Sequence, residues 1–227
     1  MNRDIGEIMD SWEYKPNSII VRKIIGDDGK EKIQIRVALG ILQMEVHGRP
    51  DGKTPYNEES LLDYYQSFLK EINGTIKGFN LTEQDMRDLD AEIMLYYHRR
   101  ICFFVLKDYA LAKMDAEHNL LLMDFMASYC TDKDYVWSHE QFRPFLIMEK
   151  TRAASLECLN KNDHAGAMEH IGDAIEAIEN FYSECGIDED EIKKVPELIL
   201  LKKWRAKIHM DWEGGVTEIG EIDFENK

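Results

Sequence analysis

The stretch GRPDGKTPY, residues 48–56, separates two different patterns of hydrophobic residues. It contains two glycines and two prolines, which favour turns because proline cannot continue a strand or a helix. Before it, apolar and polar residues alternate, which is typical of a half-buried strand; after it, apolar residues recur every three or four positions, which is typical of a helix. We therefore interpret residues 48–56 as the boundary between a β segment and a helical body, rather than as a phosphate-gripping or catalytic loop.

A β-hairpin is predicted before this boundary. The sequence GDDG, residues 26–29, is typical of a hairpin turn, and Ile33, Ile35 and Val37 alternate with polar residues after it. The apolar residues that continue to Val46 favour a third strand, with an extension of the second strand as the alternative. Because an isolated hairpin is only marginally stable, its apolar face is expected to pack on the helices that follow.

Six helices are predicted after the boundary from their capping signals and their apolar spacing. In the fourth helix, Pro144 fits within the first turn. The fifth is expected to end before Gly186. The predicted starts are Asn57, a Thr82–Asp85 capping box, a position near Asp108, a Ser138–Gln141 capping box, a position near Asp163, and either Asp188 or Pro196, with the last helix ending near Met210.

An internal repeat is indicated when the chain is shifted against itself by about 55 residues. Asp108 then aligns with Asp163, Ala112 with Ala167, and Cys130 with Cys185. A small residue four positions after the polar turn lets two antiparallel helices approach closely, as in tetratricopeptide repeats. The sequence therefore predicts degenerate helical hairpins of this kind.

The fold class predicted from these patterns is mainly α, with an N-terminal β-hairpin or short meander packed on tetratricopeptide-like helical hairpins. The predicted domains are a β segment at residues 1–56, a helical-repeat body at 57–211, and an acidic, flexible tail at 212–227.

The net charge of −16, from 44 acidic and 28 basic residues, argues against direct binding of nucleic acid, which requires a positive surface. The sequence lacks the long apolar run of a membrane helix, and its acidic N-terminus is unlike a signal peptide. We expect a cytoplasmic protein. The four cysteines are 27 or 28 residues apart, which is unlike the close pairs of zinc or redox sites.

Catalytic motifs are not evident in the sequence, so an enzymatic function and a cofactor are not predicted. There is no glycine-rich phosphate loop with its lysine and no nucleophile elbow. Asp115 and His118 have the acid-x-x-His spacing of di-iron bundles, but no second copy of that motif follows. The alternative to a non-enzymatic protein is a metal-binding or enzymatic protein with a site among Tyr97, His98, Asp115 and His118.

Two stretches that combine aromatic and cationic residues predict a surface for an acidic or C-terminal peptide. They are YYHRR, residues 96–100, and FRPF, residues 142–145, and arginine can bind carboxylates through paired hydrogen bonds. The alternative is that the tyrosines belong to the core and the arginines offset the surplus of acids. The predicted partner-binding residues are Tyr96, Tyr97, Arg99, Arg100, Arg143 and Arg152.

Arg49 and Asp51 are charged residues that a turn alone does not require. We expect them to tie the hairpin to the helical body, with contact to a partner as the alternative. The predicted function is thus a scaffold or adaptor that binds a protein or peptide, and the sequence also allows a homo-oligomer.

Several segments together resemble one family. The quoted order EKIQIRVALGILQMEVHGRPDG, SLLDYY, YYHRR and, after residue 138, FRPF resembles an uncharacterised planctomycete-type bacterial family labelled as containing a UvrB/UvrC (UVR) motif. The resemblance spans roughly residues 12–185. It implies a tetratricopeptide-like helical body with no established activity. Members of that family often end in a UVR helical hairpin, whereas this sequence continues into the acidic tail after Trp212.

Overall fold

The computed structural model describes residues 4–71, 79–216, 220 and 222. The described residues are mainly helical, with a small antiparallel sheet near the N-terminus, which confirms the predicted mainly α class with an N-terminal β-hairpin or meander. The chain divides into two compact units, residues 1–108 and residues 109–227. The division falls after the helix that contains YYHRR, whereas the sequence analysis placed its boundary at residue 56.

The first unit contains a three-stranded antiparallel sheet. Its strands lie in the order β1-β2-β3, with Ile33 of the central strand opposite Lys23 on one side and Met44 on the other. The turn at residues 26–29 and the third strand are both confirmed. The strands are β1 Ile20–Ile25, β2 Glu31–Val37 and β3 Gly40–Glu45, and a short helix, α1 Gly6–Asp10, precedes them.

The polar face of the sheet is buried along its central strand, and a row of side-chain hydrogen bonds runs across this face. Gln34 accepts from Arg22 Nε at 2.8 Å and donates to Gln43 Oε1 at 2.8 Å, so the row crosses all three strands. Arg36 Nε donates to the carbonyl oxygen of Trp12 at 2.8 Å. The indole ring of Trp12 also lies 4.1 Å from the guanidinium carbon of Arg22. The segment before β1 therefore covers this face.

Two longer helices follow the sheet in the described part of the first unit, α2 Leu61–Glu71 and α3 Glu83–Leu106, and α3 packs against β1 and β2. The Thr82–Asp85 capping box is confirmed: Thr82 Oγ1 accepts from the backbone N–H of Asp85, whose carboxylate accepts from that of Thr82 at 2.8 Å. The prediction that Asn57 caps the first helix is wrong. Tyr56 and Asn57 have left-handed φ angles of 55° and 67°, and α2 begins only at Leu61, after Ser60, whose Oγ accepts from the backbone N–H of Asp63 at 3.0 Å.

In the second unit, the four long helices pack one against the next: α4 against α6, α6 against α7, and α7 against α9. Its core includes the fully buried side chains of Leu122, Ile171, Ile178, Leu201 and Trp204. The helices are α4 Tyr109–Tyr129, α5 Lys133–Glu140, α6 Arg143–Asn160, α7 His164–Glu184, α8 Glu189–Ile192 and α9 Pro196–Glu213.

The Ser138–Gln141 capping box is wrong, because Ser138 lies inside α5. That helix is instead capped by Asp132, whose carboxylate accepts from the backbone N–H groups of Asp134 and Tyr135 at 3.0 Å each. The next helix, α6, begins at Arg143 with Pro144 in its first turn, as expected.

The remaining boundaries agree closely with the sequence. Asp163 caps α7 by accepting from the backbone N–H of Gly166 at 2.9 Å. Gly186, with a φ of 76°, follows the end of that helix. Both predicted starts of the last helix are used, since Asp188 caps α8 and Pro196 begins α9. The predicted flexible tail begins inside α9, and its residues 217–219, 221 and 223–227 lie outside the described residues.

Helices α4 and α7 correspond closely. Each has 21 residues, and both their first and last residues are 55 positions apart. Each is preceded by a residue in the left-handed conformation, Lys107 or Asn162, with φ angles of 60° and 58°. Next comes an aspartate, Asp108 or Asp163, whose backbone N–H donates to a carbonyl oxygen five residues earlier at 2.9 Å.

Candidate functional site

Arg99 fixes the backbone where the sheet ends. It lies on α3, is only 4% exposed, and its Nη1 donates to the carbonyl oxygens of Glu45 at 3.1 Å and Gly48 at 2.7 Å. Backbone carbonyls that leave a strand need new hydrogen-bond donors when they are shielded from water. Arg99 therefore holds the start of the 48–56 stretch against α3.

Glu92, also on α3, provides a second anchor for the same region. Its side chain is fully buried and accepts from the backbone N–H groups of Leu61 at 2.9 Å and Leu62 at 3.3 Å, the first residues of α2. A carboxylate is favoured there because the first N–H groups of a helix lack partners within the helix and carry a partial positive charge. Glu92 thus connects the start of α2 to α3.

Arg49 adds a cation to this anchor. Its Nε lies 3.5 Å from Glu92 Oε2 and 3.2 Å from Asp51 Oδ1. A buried carboxylate requires compensation of its charge, and Arg49 together with the two N–H groups supplies it. Arg49 is therefore connected to the helices through Glu92, and the effect of this contact on stability remains a prediction.

The sequence analysis did not identify Glu92, although the sequence contains a signal for it. The buried positions of α3 include Leu89, Glu92, Tyr96, Arg99 and Phe103, which follow one another at spacings of three and four residues. That spacing places them on one side of a helix. A charged residue that shares this spacing with apolar residues can therefore be predicted to lie on the buried side of the helix.

The tyrosines and arginines of YYHRR lie largely inside the protein. Tyr96, Arg99 and Arg100 are at most 6% exposed, and Tyr97 is half-buried. The guanidinium carbon of Arg99 lies 5.0 Å from the ring centre of Tyr96, and that of Arg100 lies 5.4 Å from the ring centre of Tyr97. In this conformation, Tyr97 is the one of these two tyrosines and two arginines that a partner can reach, and the neighbouring His98 is half-buried as well.

Arg143 and Arg152, the other predicted contact residues, are both half-buried and are both paired with acids. Arg143 Nη2 lies 2.8 Å from Asp124 Oδ1, and its Nε lies 2.5 Å from Glu140 Oε2. The hydrogen bonds with Glu140 raise the pKa of Arg143 above its ordinary value, despite the opposing effect of burial. Arg152 Nη1 lies 3.4 Å from Glu149 Oε1. The prediction of partner binding at these residues stays a prediction.

Two exposed aromatic side chains precede Arg143 in the sequence. Phe142, which precedes α6, is 57% exposed, and Trp137 on α5 is 52% exposed. Large aromatic side chains and arginine are the residue types that contribute most to protein interfaces.

The alternative metal site has no further support within the described ranges. Asp115 is 2% exposed and His118 is half-buried on the same helix, α4. Among the described residues, no three His, Cys, Asp or Glu side chains are grouped as a metal site requires. The metal or enzymatic alternative remains an untested prediction.

All four cysteines are free thiols. Burial raises the pKa values of Cys158 and Cys185, with smaller contributions from nearby acids. Because the thiolate is the reactive form, these shifts make both residues weaker nucleophiles at neutral pH.

Comparison with known proteins gives no relative: no family model matches the sequence, and no curated protein or solved structure matches it significantly. The resemblance to the UVR-labelled family therefore stays a prediction. Across the described part of the chain, no helix combines the length and apolar character needed to cross a membrane.

Proposed function

We propose that this protein is a non-enzymatic, cytoplasmic helical-repeat scaffold or adaptor that binds another protein or peptide. The observation that carries the proposal is the correspondence of α4 and α7, which have equal length, equal spacing of both ends and equivalent preceding turns. Ala112 and Ala167, at equivalent positions, are both fully buried. Repeated helical units of this kind commonly serve as binding surfaces.

The proposed contact surface lies on the second unit and is centred on Arg143 and Phe142, with Trp137 and Arg152 as further candidates. Tyr97, in the first unit, is a separate candidate contact. Phe142 supplies exposed apolar area, and Arg143 supplies donors that exchange from Asp124 or Glu140 to a partner carboxylate. Arg99 and Arg100 are not candidates for direct contact in this conformation, because both are buried. The tetratricopeptide-like character and the UVR-family resemblance are consistent with a role in protein contacts.

The test is a quantitative pulldown from native lysate with the wild-type protein, Phe142→Ser and Arg143→Glu, followed by titration with each purified partner. We expect both variants to lose the same partner. The circular-dichroism melting curve of Phe142→Ser should stay close to that of the wild type, whereas Arg143→Glu should melt at a lower temperature, because it places a third carboxylate beside Asp124 and Glu140. Arg87→Glu is the matched control, since Arg87 is 60% exposed and pairs with Glu83 on α3. Identical partner sets in all four proteins would contradict the proposed surface.

Elemental analysis distinguishes the scaffold from the metal-binding alternative. Iron, manganese or zinc bound in stoichiometric amount to the purified protein would contradict the proposal. Binding of a DNA duplex at physiological salt would contradict the proposed lack of direct contact with nucleic acid.

A further inference from the structure

Tyr56 presents an aromatic ring on the surface of the first unit. The residue is 67% exposed, and its ring is stacked on that of Tyr64 of α2, with ring centres 4.0 Å apart and planes inclined by 21°. Tyr64 is followed in the stack by Phe68, at 6.1 Å. Tyr64 covers one face of the Tyr56 ring, and the exposed remainder of that ring is available to a ligand.

The position of Tyr56 is fixed from both sides along the chain. Arg99 holds the carbonyl oxygen of Gly48 before it, and Glu92 holds the N–H groups of Leu61 and Leu62 after it. A ring held in place in the free protein loses little conformational freedom on binding, so a contact with it is more favourable.

Two carboxylates accompany the ring. Glu58 and Glu59 follow Tyr56 by two and three residues, which keeps their Cα atoms within about 11 Å of its own. Within the ranges that the structure describes, neither side chain forms a hydrogen bond or ion pair. An exposed aromatic ring that is followed within three residues by two unpaired carboxylates favours a cation, through attraction to both the ring and the acids.

We propose that Tyr56, Tyr64, Glu58 and Glu59, which we call the Tyr56 surface, bind an arginine-containing basic segment of a partner protein. The guanidinium stacks on the exposed face of Tyr56, and its N–H groups donate to the carboxylates of Glu58 and Glu59. The inference rests on the proposed function, because it specifies the chemistry of a partner of the scaffold. It concerns a different surface from that around Arg143.

Charge and shape favour this occupant over others. The chain carries a net charge of −16, which repels acidic peptides and nucleic acid and attracts basic ones. Arginine fits a single open aromatic face better than lysine does, because its planar guanidinium stacks on the ring while still donating hydrogen bonds in its plane. Recognition of methylated lysine uses a cage of several aromatic walls, whereas these rings form a stack.

The test is a fluorescence-anisotropy titration of the full-length protein with three dye-labelled peptides, six repeats each of Gly-Arg, Gly-Lys and Gly-Glu. We expect the arginine peptide to bind most tightly, the lysine peptide more weakly and the glutamate peptide not at all. Raising the salt concentration should weaken binding, because exposed charges are screened. Equal binding of the arginine and lysine peptides, or tighter binding of the glutamate peptide, would overturn the proposal.

Variants locate the binding on the surface. Tyr56→Ala should weaken binding of the arginine peptide about two- to fivefold. Tyr56→Phe, which keeps the ring, should bind this peptide as tightly as the wild type does. Glu58→Gln with Glu59→Gln should weaken it about two- to tenfold. The matched control is Glu176→Gln with Glu184→Gln, which removes the same charge from two exposed positions of α7 and should change binding less than about twofold.

Two outcomes separate this inference from the proposed function. Equal losses in the two glutamate variants, or no loss in Tyr56→Ala, would show attraction by net charge alone and would overturn the Tyr56 surface. Those results leave the partner captured through Phe142 and Arg143 unaffected, so the scaffold function would stand. Loss of that partner in Phe142→Ser with intact peptide binding would support both surfaces independently.

Discussion

At the scale of single residues, the buried charges of α3 organise the first unit. Glu92 and Arg99 contact backbone groups of chain segments on either side of residues 50–56. A buried charge is costly unless it is paired and hydrogen-bonded, and here the partners are largely backbone groups that themselves need hydrogen bonds. These contacts thus supply hydrogen-bond partners to the backbone groups where the strands end and the helices begin.

Replacing Arg49 with alanine should destabilise the protein. The substitution removes the cation 3.5 Å from the fully buried Glu92 while leaving that carboxylate with its two N–H donors. We expect a loss of about 1–3 kcal/mol in the free energy of unfolding, below the full cost of breaking a buried pair. Urea unfolding followed by circular dichroism measures it, through a lower midpoint at an unchanged slope.

Lys53→Ala is the control for Arg49, because Lys53 is 78% exposed at its side chain and lies 3.7 Å from the same Asp51. Lys53→Ala should change the free energy of unfolding by less than about 0.5 kcal/mol. If Arg49→Ala leaves the unfolding curve unchanged but abolishes binding of a partner, the loop is a contact site rather than a structural tie.

At the scale of elements, the sequence predicts helix ends well where one residue decides them. Asp163 and Thr82 have side chains that accept a backbone N–H three residues later, and the structure uses both. Asn57 and Ser138 are also favourable capping residues by type. They fail because other residues take the capping role: Ser60 accepts the backbone N–H of Asp63 at the start of α2, and Asp132 caps α5, which already contains Ser138.

The cap of α7 should make Asp163 and Gly166 energetically coupled. A Cβ atom on Gly166 would lie 2.3 Å from Asp163 Oδ2, so Gly166→Ala displaces the capping carboxylate. The lost cap, about 1 kcal/mol, offsets the better helix propensity of alanine, so the single substitution should be nearly neutral. In an Asp163→Ala background, it should stabilise by about 0.5–1 kcal/mol. Urea unfolding of the four proteins gives the coupling free energy.

Gly172→Ala is the matched control within the same helix. A Cβ atom there meets its nearest neighbour, the guanidinium of Arg205, at 3.6 Å, which is an ordinary contact. Its effect should therefore be the same with and without Asp163. Additive effects of Gly166→Ala and Asp163→Ala would contradict the coupling.

At the scale of the whole molecule, the sequence predicts the fold class better than the site. The stretch YYHRR covers five consecutive residues, more than one full turn of a helix, so its composition cannot indicate which side is buried. The structure buries Tyr96, Arg99 and Arg100 and leaves Tyr97 and His98 half-exposed. Hydrophobic periodicity identifies elements, whereas the face that a mixed stretch buries depends on distant segments such as the backbone at Glu45 and Gly48.

The net charge of −16 should make the stability of the protein rise with salt. Folding brings like charges closer together, and raising NaCl from 10 to 100 mM shortens the Debye length from about 30 to about 10 Å. Screening also weakens ion pairs, but exposed pairs contribute at most about 1 kcal/mol each, and the Arg49–Glu92 pair is buried and less screened. Repulsion should therefore dominate, and the melting temperature should rise by at least about 2 °C.

Removing surplus carboxylates tests the cause of this salt response. The variant that combines Glu58→Gln, Glu59→Gln, Glu176→Gln and Glu184→Gln has a net charge of −12, four units less negative than the −16 of the wild type. Because it repels itself less, it should melt at a higher temperature than the wild type in 10 mM NaCl and gain less when salt is added. Differential scanning calorimetry at both salt concentrations measures the two shifts. An equal salt response in both proteins would assign the effect to ion binding or to hydration rather than to repulsion among the acids.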